Sequence, residues 1–192
     1  MQLEEPAPAP AVVFVADAEP VQVVAKSEST RIREAFERAF GINLDTKQRM
    51  LLGQIVQACD NYQVVDQRQI AYILATAWHE SRLYCVKEKR ARKGTALRRL
   101  QDRYWYTGFY GRGPSQLTWE VNYRKFTPVV NHNLVADPDA ALRMDFGAII
   151  LVHGMAKGWF TGVELDDYFN KWETDWINAR RIVNGVDRAG LI

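Results

Sequence analysis

The sequence is poor in the features that mark several large protein classes. Its 192 residues contain only two cysteines, Cys59 and Cys85, which excludes a disulfide-stapled mini-protein and leaves at most one bridge open. No run approaches the roughly 18 consecutive apolar residues of a membrane-crossing helix. A formal net charge of +2 is too small to point to nucleic acid by itself. Proline is scarce after the first twenty residues, which hold four of the seven. What is plentiful is material for a core. Apolar residues make up 47% of the chain, and eight Phe, eight Tyr and six Trp need somewhere to pack. That length and composition fit one globular domain with a tail.

The tail is residues 1–28, rich in Pro and Ala, where the run Pro6-Ala-Pro8-Ala-Pro10 favours an extended arm or linker. Its apolar stretch, Ala11 to Ala16, is only six residues and follows Glu4 and Glu5. It therefore lacks the basic start and longer apolar stretch of a standard export signal. Residues 29–192 form the domain, and their signals are helical. Ser29 or Thr30 caps a short helix through Phe40, ended by Gly41. Asp45-Thr-Lys-Gln48 has the form of a capping box and opens a helix with Leu51, Leu52, Ile55, Val56 and Cys59 on one face. Asp66-Gln-Arg-Gln69 repeats that form and starts a helix to about Ser81. Asp137-Pro138 caps a further helix carrying Ala141, Met144, Ala148, Ile149, Leu151 and Val152 to about Gly158. A last helix spans roughly Thr174 to Val183. Between Lys87 and Trp119 the periodicity fails, and Gly94, Gly108, Gly111 and Gly113 predict loops with a small hairpin.

Ile70, Ile73, Leu74, Ala77 and Trp78 form one apolar stripe on the third helix. At 100° per residue, Glu80 falls about 90° from the centre of that stripe, and His79 points away from it. Glu80 thus sits at the edge of the buried face near a helix C-terminus. Both desolvation and the helix dipole disfavour its charged form there, which suits a general acid. The plainer reading pairs it with Arg82 or another cation. Glu88 follows eight residues later, in the run Val86-Lys-Glu-Lys-Arg90. Two carboxyls facing each other across a cleft suit glycoside hydrolysis, where inverting enzymes hold them roughly 6.5–9.5 Å apart. The plainer reading makes Glu88 part of a solvated charge run.

Downstream segments join this pair. Ala77-Trp-His-Glu-Ser81, Tyr110-Gly-Arg-Gly-Pro-Ser-Gln-Leu-Thr118 with Asn122-Tyr123, Gly154-Met-Ala-Lys-Gly-Trp-Phe-Thr-Gly162 and Asn178-Ala-Arg-Arg-Ile-Val-Asn-Gly-Val-Asp187 resemble, in order, family 19 glycoside hydrolases. That family contains chitinases and the related lysozyme-like endolysins of bacteriophages. The resemblance covers roughly Leu44 to Ile192. It departs from the family at Ser115, where Ile or Val is usual, and relatives commonly continue in a further helix.

The resemblance implies a mainly α, lysozyme-like two-lobed domain with a small hairpin or irregular segment beside the cleft. It also implies cleavage, with inversion, of β-1,4 bonds next to N-acetyl sugars. Glu80 takes the place of the general acid, Glu88 that of the base, and Thr118 that of a hydroxyl holding the attacking water. Gln116, Asn122 and Asn184 match amides that bind substrate, and Tyr110 and Arg112 belong to the same cleft-lining motif. Trp105, Tyr106 or Tyr110 could stack on sugar faces, although core packing is the commoner use of an aromatic. Residues 87–103 carry eight Lys or Arg against two acids, a local charge of +6. That favours an acidic polymer, peptidoglycan over chitin.

Other classes fit less well. Leu83 stands where a zinc-protease helix needs its second His, and His132 and His153 are isolated, so no metal or other cofactor is expected. Gly111-Arg-Gly113 lacks the Lys-Ser/Thr of a phosphate loop. The basic loop with Tyr104, Trp105 and Tyr106 would suit single-stranded nucleic acid, but that reading leaves Glu80 and the amides unused. A non-catalytic wall-binding or virion structural protein would use the fold without the carboxylates. The expectation is a monomer acting on a polysaccharide, without nucleic acid or stable membrane insertion. It would be made in a bacterial host cytoplasm and reach the wall once a separate pore opens.

Overall fold

The computed structural model describes residues 27–183, so the Pro/Ala-rich arm, apart from Ser27 and Glu28, and Asn184 lie outside the described residues. Six α-helices carry the fold: α1 (Glu28–Phe40), α2 (Thr46–Asn61), α3 (Gln67–Ser81), α4 (Ala96–Gln101), α5 (Glu120–Phe126) and α6 (Met144–Ala156). Short 3-10 turns link them, and pairing among the described residues is limited to isolated bridges. The mainly helical class expected from the sequence is what the chain adopts.

The helix starts follow local chemistry. At α2 the Asp45 carboxylate accepts from the Gln48 N–H while the Gln48 side chain accepts from the Asp45 N–H, each at 2.9 Å, completing the capping box. At α1 the cap is Ser27, not Ser29 or Thr30, because its hydroxyl accepts from the Thr30 N–H. At α3, Asp66 accepts from the Arg68 N–H, but Gln69 does not close the second box. Its amide donates to Asp166 and to the Phe169 carbonyl at 2.6 and 2.9 Å, tying α3 to the C-terminal part of the chain. A long-range partner outcompeted a local one.

Two expected elements differ, and two helices appear that the sequence does not predict, α4 inside the stretch expected to be loops and α5 after it. The helix after Asp137-Pro138 is split into a 3-10 turn, Pro138–Leu142, and α6. Asp137 faces His132 at 3.2 Å instead of capping. The last helix shrinks to a 3-10 turn over Asn178–Ile182, since Asp175 accepts from the Asn178 N–H and starts a separate turn there. Finally, α5 follows directly on the irregular segment, where no capping signal announces it; its N-cap, Trp119, makes no side-chain cap bond.

Two apolar clusters flank α6. Leu51, Leu52, Ile55, Ile73 and Leu74 from α2 and α3 pack with Ala148, Leu151, Val152 and Met155. On the other side Leu117, Tyr123, Phe126 and Leu134 pack with Ile150. Apolar residues on opposite faces of α6 enter the two clusters, so the helix serves as the shared wall of both lobes. The two cysteines are free, and burial pushes the thiol of each up to about 12.

His153 on α6 sits among Trp159, Tyr62 and Phe126, with ring centroids 4.5, 5.0 and 6.3 Å away. Its nitrogens are buried without a hydrogen-bond partner among the described residues. Desolvation first, then Lys157 and Lys125, holds it below its ordinary value of 6.5. The unfolded chain therefore binds the proton more readily, and stability rises with pH through this range. Thermal melts should show stability fully present above pH 6.5 and falling below it, with His153→Phe flattening that slope. An unchanged slope in the variant would place the acid sensitivity elsewhere.

Candidate active site

Glu80 lies in the last turn of α3, its side chain 17% exposed. The Arg180 guanidinium, itself 5% exposed, donates to its Oε1 at 2.8 Å. Arg82, the neighbour anticipated as a partner, instead lies over the Trp78 ring at 5.1 Å. The partner of Glu80 thus comes from the Asn178-to-Asp187 motif a hundred residues away, a role that sequence reading missed although the motif itself was visible. Immediately after Glu80 the chain reverses through Arg82 and Leu83, with φ of 56° and 57°. Two successive left-handed non-glycine residues cost of order 1–3 kcal/mol each. They are held by the fully buried Leu83 side chain and by Gln48, whose amide donates to the Arg82 carbonyl at 2.9 Å.

Glu88 is not a member of a solvated charge run. Its Oε1 accepts from Gln101 Nε2 at 2.8 Å and from the Tyr104 hydroxyl at 2.7 Å, and its Oε2 accepts from the Gly111 N–H at 2.9 Å. Gln101 is fully buried, and also donates to the Lys89 carbonyl and accepts from the Ala91 N–H. Burial first, then the Glu88 carboxylate, raises the Tyr104 phenol above its usual range, so it stays a donor. Neither Gln101 nor Tyr104 was singled out as a partner of Glu88 from sequence. A lone Gln in a basic stretch carries no sign that it is buried.

Glu88 also bonds Gly111 through the backbone, its N–H donating to the Gly111 carbonyl at 2.8 Å. The expected hairpin is reduced to two bridges, Lys87 with Arg112 and Arg112 with Leu117. A side chain at Gly111 would displace the Gln116 amide. A Cβ there would lie 2.7 Å from Gln116 Oε1 and 3.3 Å from the Glu88 Cβ. Glu88, Gly111 and Gln116 therefore share one tight locus. Gln116, at φ 51°, donates its amide to the carbonyls of Val86 and Gly113 at 3.1 and 2.9 Å. Thr118 Oγ1 donates to the Gln116 carbonyl, and Asn122 Nδ2 to the Thr118 carbonyl, at 2.9 and 2.8 Å. Of six described non-glycine residues with positive φ, Arg82 and Leu83 follow Glu80 and Gln116 and Trp119 fall on this segment, and such outliers collect at functional sites.

Arg112 is placed differently from a substrate-binding side chain. It is 5% exposed and donates to Asp139, to the Gly108 and Tyr110 carbonyls and to the Tyr123 hydroxyl, at 2.6 to 3.1 Å. Tyr110 covers it at 4.2 Å and stacks on Trp105 at 4.3 Å, nearly parallel. Lys87 first, with Arg112, holds the Asp139 carboxyl below its ordinary range. Behind the loop, α6 comes close because Gly147 has no side chain; a Cβ there would lie 2.7 Å from Pro114.

The structure thus brings Glu88, Tyr110, Arg112, Gln116, Thr118 and Asn122 into one bonded network and anchors Glu80 through Arg180. A separate cavity of about 750 Å³ between α1 and α3, lined by Phe36, Phe40, Ile70 and Leu74, holds none of these groups. Among the described residues no group of three or more His, Cys, Asp or Glu could hold a metal ion.

Replacing Arg112 with Met should lower stability by roughly 3 kcal/mol in urea unfolding, because two buried carbonyls and the Tyr123 hydroxyl lose a donor. Unaltered stability would show that the guanidinium does not order this loop.

No protein-family model matches the sequence. A stretch of 93 residues is 37% identical to an endochitinase of Arabidopsis thaliana, covering 45% of this chain and 31% of that protein. A second Arabidopsis thaliana endochitinase is 37% identical over 84 residues, covering 41% and 28%. The chain spans less than a third of the length of these curated relatives. A solved bacterial family 19 chitinase superimposes with a TM-score of 0.43 at 19% identity, covering 79% of this chain and 74% of that one. The chain is thus similar in sequence to endochitinases, in keeping with the resemblance to family 19 glycoside hydrolases read from its motifs.

Proposed function

We propose that this protein is a glycoside hydrolase that cleaves β-1,4 bonds next to N-acetyl sugars by general acid/base catalysis with inversion. The observation that carries the reading is the fixing of Glu88. A carboxylate oxygen accepts through two lone pairs. At Oε1 both are occupied, by Gln101 and Tyr104, whereas Oε2 takes only the Gly111 N–H among the described residues. Oε2 therefore retains a site for a water, in a fixed orientation. Glu88 takes the proton of that water as it attacks the anomeric carbon, and Glu80 delivers a proton to the leaving glycosidic oxygen. Thr118 holds the water, Gln116, whose amide N–H groups are both taken by carbonyls, offers its Oε1 to an acetamido N–H, and Asn122 keeps an amide that both donates and accepts. Arg112 acts as a positioning residue in this scheme, and Tyr110, stacked on Trp105, offers a ring for a sugar face. Asn184 remains an expected substrate amide.

Peptidoglycan is the substrate we favour, as an endolysin-like activity, because the +6 segment 87–103 adjoins Glu88 and suits an acidic polymer. Chitin is the second reading, and the similarity to proteins named endochitinases favours it. In either case the protein works as a monomer at the polysaccharide; in the peptidoglycan reading it is made in a bacterial host's cytoplasm and reaches the wall through a separate pore.

Purified peptidoglycan and chitin oligomers should be digested side by side and the products weighed by mass spectrometry. The wild type should release fragments with new reducing ends from one of them, and the fragment masses name the bond. Glu80→Gln and Glu88→Gln should each lower kcat by roughly 10²–10⁴-fold with the fold intact. If both variants keep wild-type rates, the acid and base assignments are wrong. Tyr104→Phe should reduce kcat by about tenfold while KM changes little, and should shift the acidic limb of the pH profile, because it removes a donor from the carboxylate that acts as base. A change confined to KM would mean that Tyr104 binds sugar instead of orienting Glu88.

A further inference from the structure

The segment that encloses Glu88 has a second side. Of its eight cations, Arg90 and Arg98 pair with Asp102, and Lys87 pairs with Asp139 at 2.9 Å. The other five, Lys89, Arg92, Lys93, Arg99 and Arg103, are exposed and form no ion pair among the described residues. Helix α4 lies in the middle of this group. Gln101 and Arg98 face the interior, and Leu97 and Leu100, three residues apart and so on one face, are 54% and 50% exposed. Neither leucine belongs to either apolar cluster. Five unpaired cations would serve any polyanion. Two leucines held out among them gain nothing from a hydrated polysaccharide or a phosphate backbone, whereas the boundary of headgroups and acyl chains accommodates both kinds of side chain.

We infer that the outer face of residues 89–103 docks peripherally on an anionic lipid surface. Leu97 and Leu100 enter the headgroup boundary, and Lys89, Arg92, Lys93, Arg99 and Arg103 meet lipid phosphates. The contact is reversible, because two leucines and a helix of six residues are far too little to insert. It leaves the inner face of the same segment, with Gln101 and Glu88, undisturbed.

The test is co-sedimentation of the full chain with sucrose-loaded vesicles of phosphatidylglycerol or of phosphatidylcholine, without polysaccharide. Wild type should bind the anionic vesicles, release them in high salt and largely ignore the zwitterionic ones. The double variant Leu97→Ser/Leu100→Ser should partition about tenfold less, and Lys93→Glu/Arg99→Glu at least as much less, with thermal melts matching wild type. Glu80→Gln should bind as wild type does, so failure of the hydrolase reading leaves this result standing. Three results overturn the inference: equal binding to both lipids, no binding by the folded wild type, or leucine variants that bind as tightly as wild type. In the last case the patch reads charge alone, and the two leucines play no part in its binding.

Discussion

One buried guanidinium orders the part of the molecule that has no regular structure to order it. Residues 86–119 contain one six-residue helix, one short 3-10 turn and two isolated bridges, too few ladder bonds to fix a backbone. Arg112 stands in both bridges, and its side chain gathers the Gly108 and Tyr110 carbonyls, the Tyr123 hydroxyl and Asp139 around one rigid plane. A planar fork of donors fixes direction as well as distance, which a lysine could not do. Desolvating it is costly, and that cost is offset by the Asp139 carboxylate and by hydrogen bonds to the 108–110 loop and to Tyr123, so that three separate parts of the chain meet at one group. Removing the fork would release the loop tip, α5 and the turn before α6 together. Everything that can touch a substrate on this side, from Gly111 to Asn122, hangs from that arrangement.

Much of the scaffold could be read from the sequence because its determinants are local. The capping box at Asp45, the apolar faces of α2 and α3 and the left-handed Gly41 at the end of α1 each depend on residues within a turn or two. What could not be read depends on partners far along the chain. Gln69 leaves its box for Asp166 and Phe169, and the helix expected over Thr174 to Val183 gives way to a shorter turn around Asp175 and Asn178. The site divides the same way. Helical spacing placed Glu80 at the edge of α3, but its contact with Arg180 spans a hundred residues, and the three donors on Glu88 come from 13, 16 and 23 residues away. Arg112 is the clearest case. Its motif marked it as cleft-lining, yet a motif cannot say whether a guanidinium faces outward to a ligand or inward to carbonyls.

The two carboxylates are held by opposite means, and the difference bears on what each can do. Glu80 meets a buried cation, the Arg180 guanidinium. Glu88 meets neutral donors, two of them on the same oxygen, and its charged neighbours turn away: Lys87 to Asp139 and Arg90 to Asp102. Neutral donors orient a carboxylate without a full countercharge to hold it, so its remaining lone pair stays available to a water. An ion pair with a nearby lysine would orient Glu88 just as well and would compete for that lone pair. The basic segment thus keeps its charge off the one acid it surrounds.

That sorting is built by Gln101 and Asp102, adjacent residues at the end of α4. Gln101 points inward, where its amide joins Glu88, Lys89 and Ala91, and Asp102 draws Arg90 and Arg98 to its own side. Five cations remain outside. A chain with +6 in seventeen residues would ordinarily repel itself into an extended loop. Here a buried amide and one acid fold it back on itself, so that the same short helix presents neutral donors to Glu88 and positive charge to solvent. The inner and outer faces of α4 are therefore coupled: any substitution that loosens Gln101 disturbs the orientation of Glu88 and the spacing of the exposed cations at once, whereas a change at Leu97 or Arg99 reaches only the outer face.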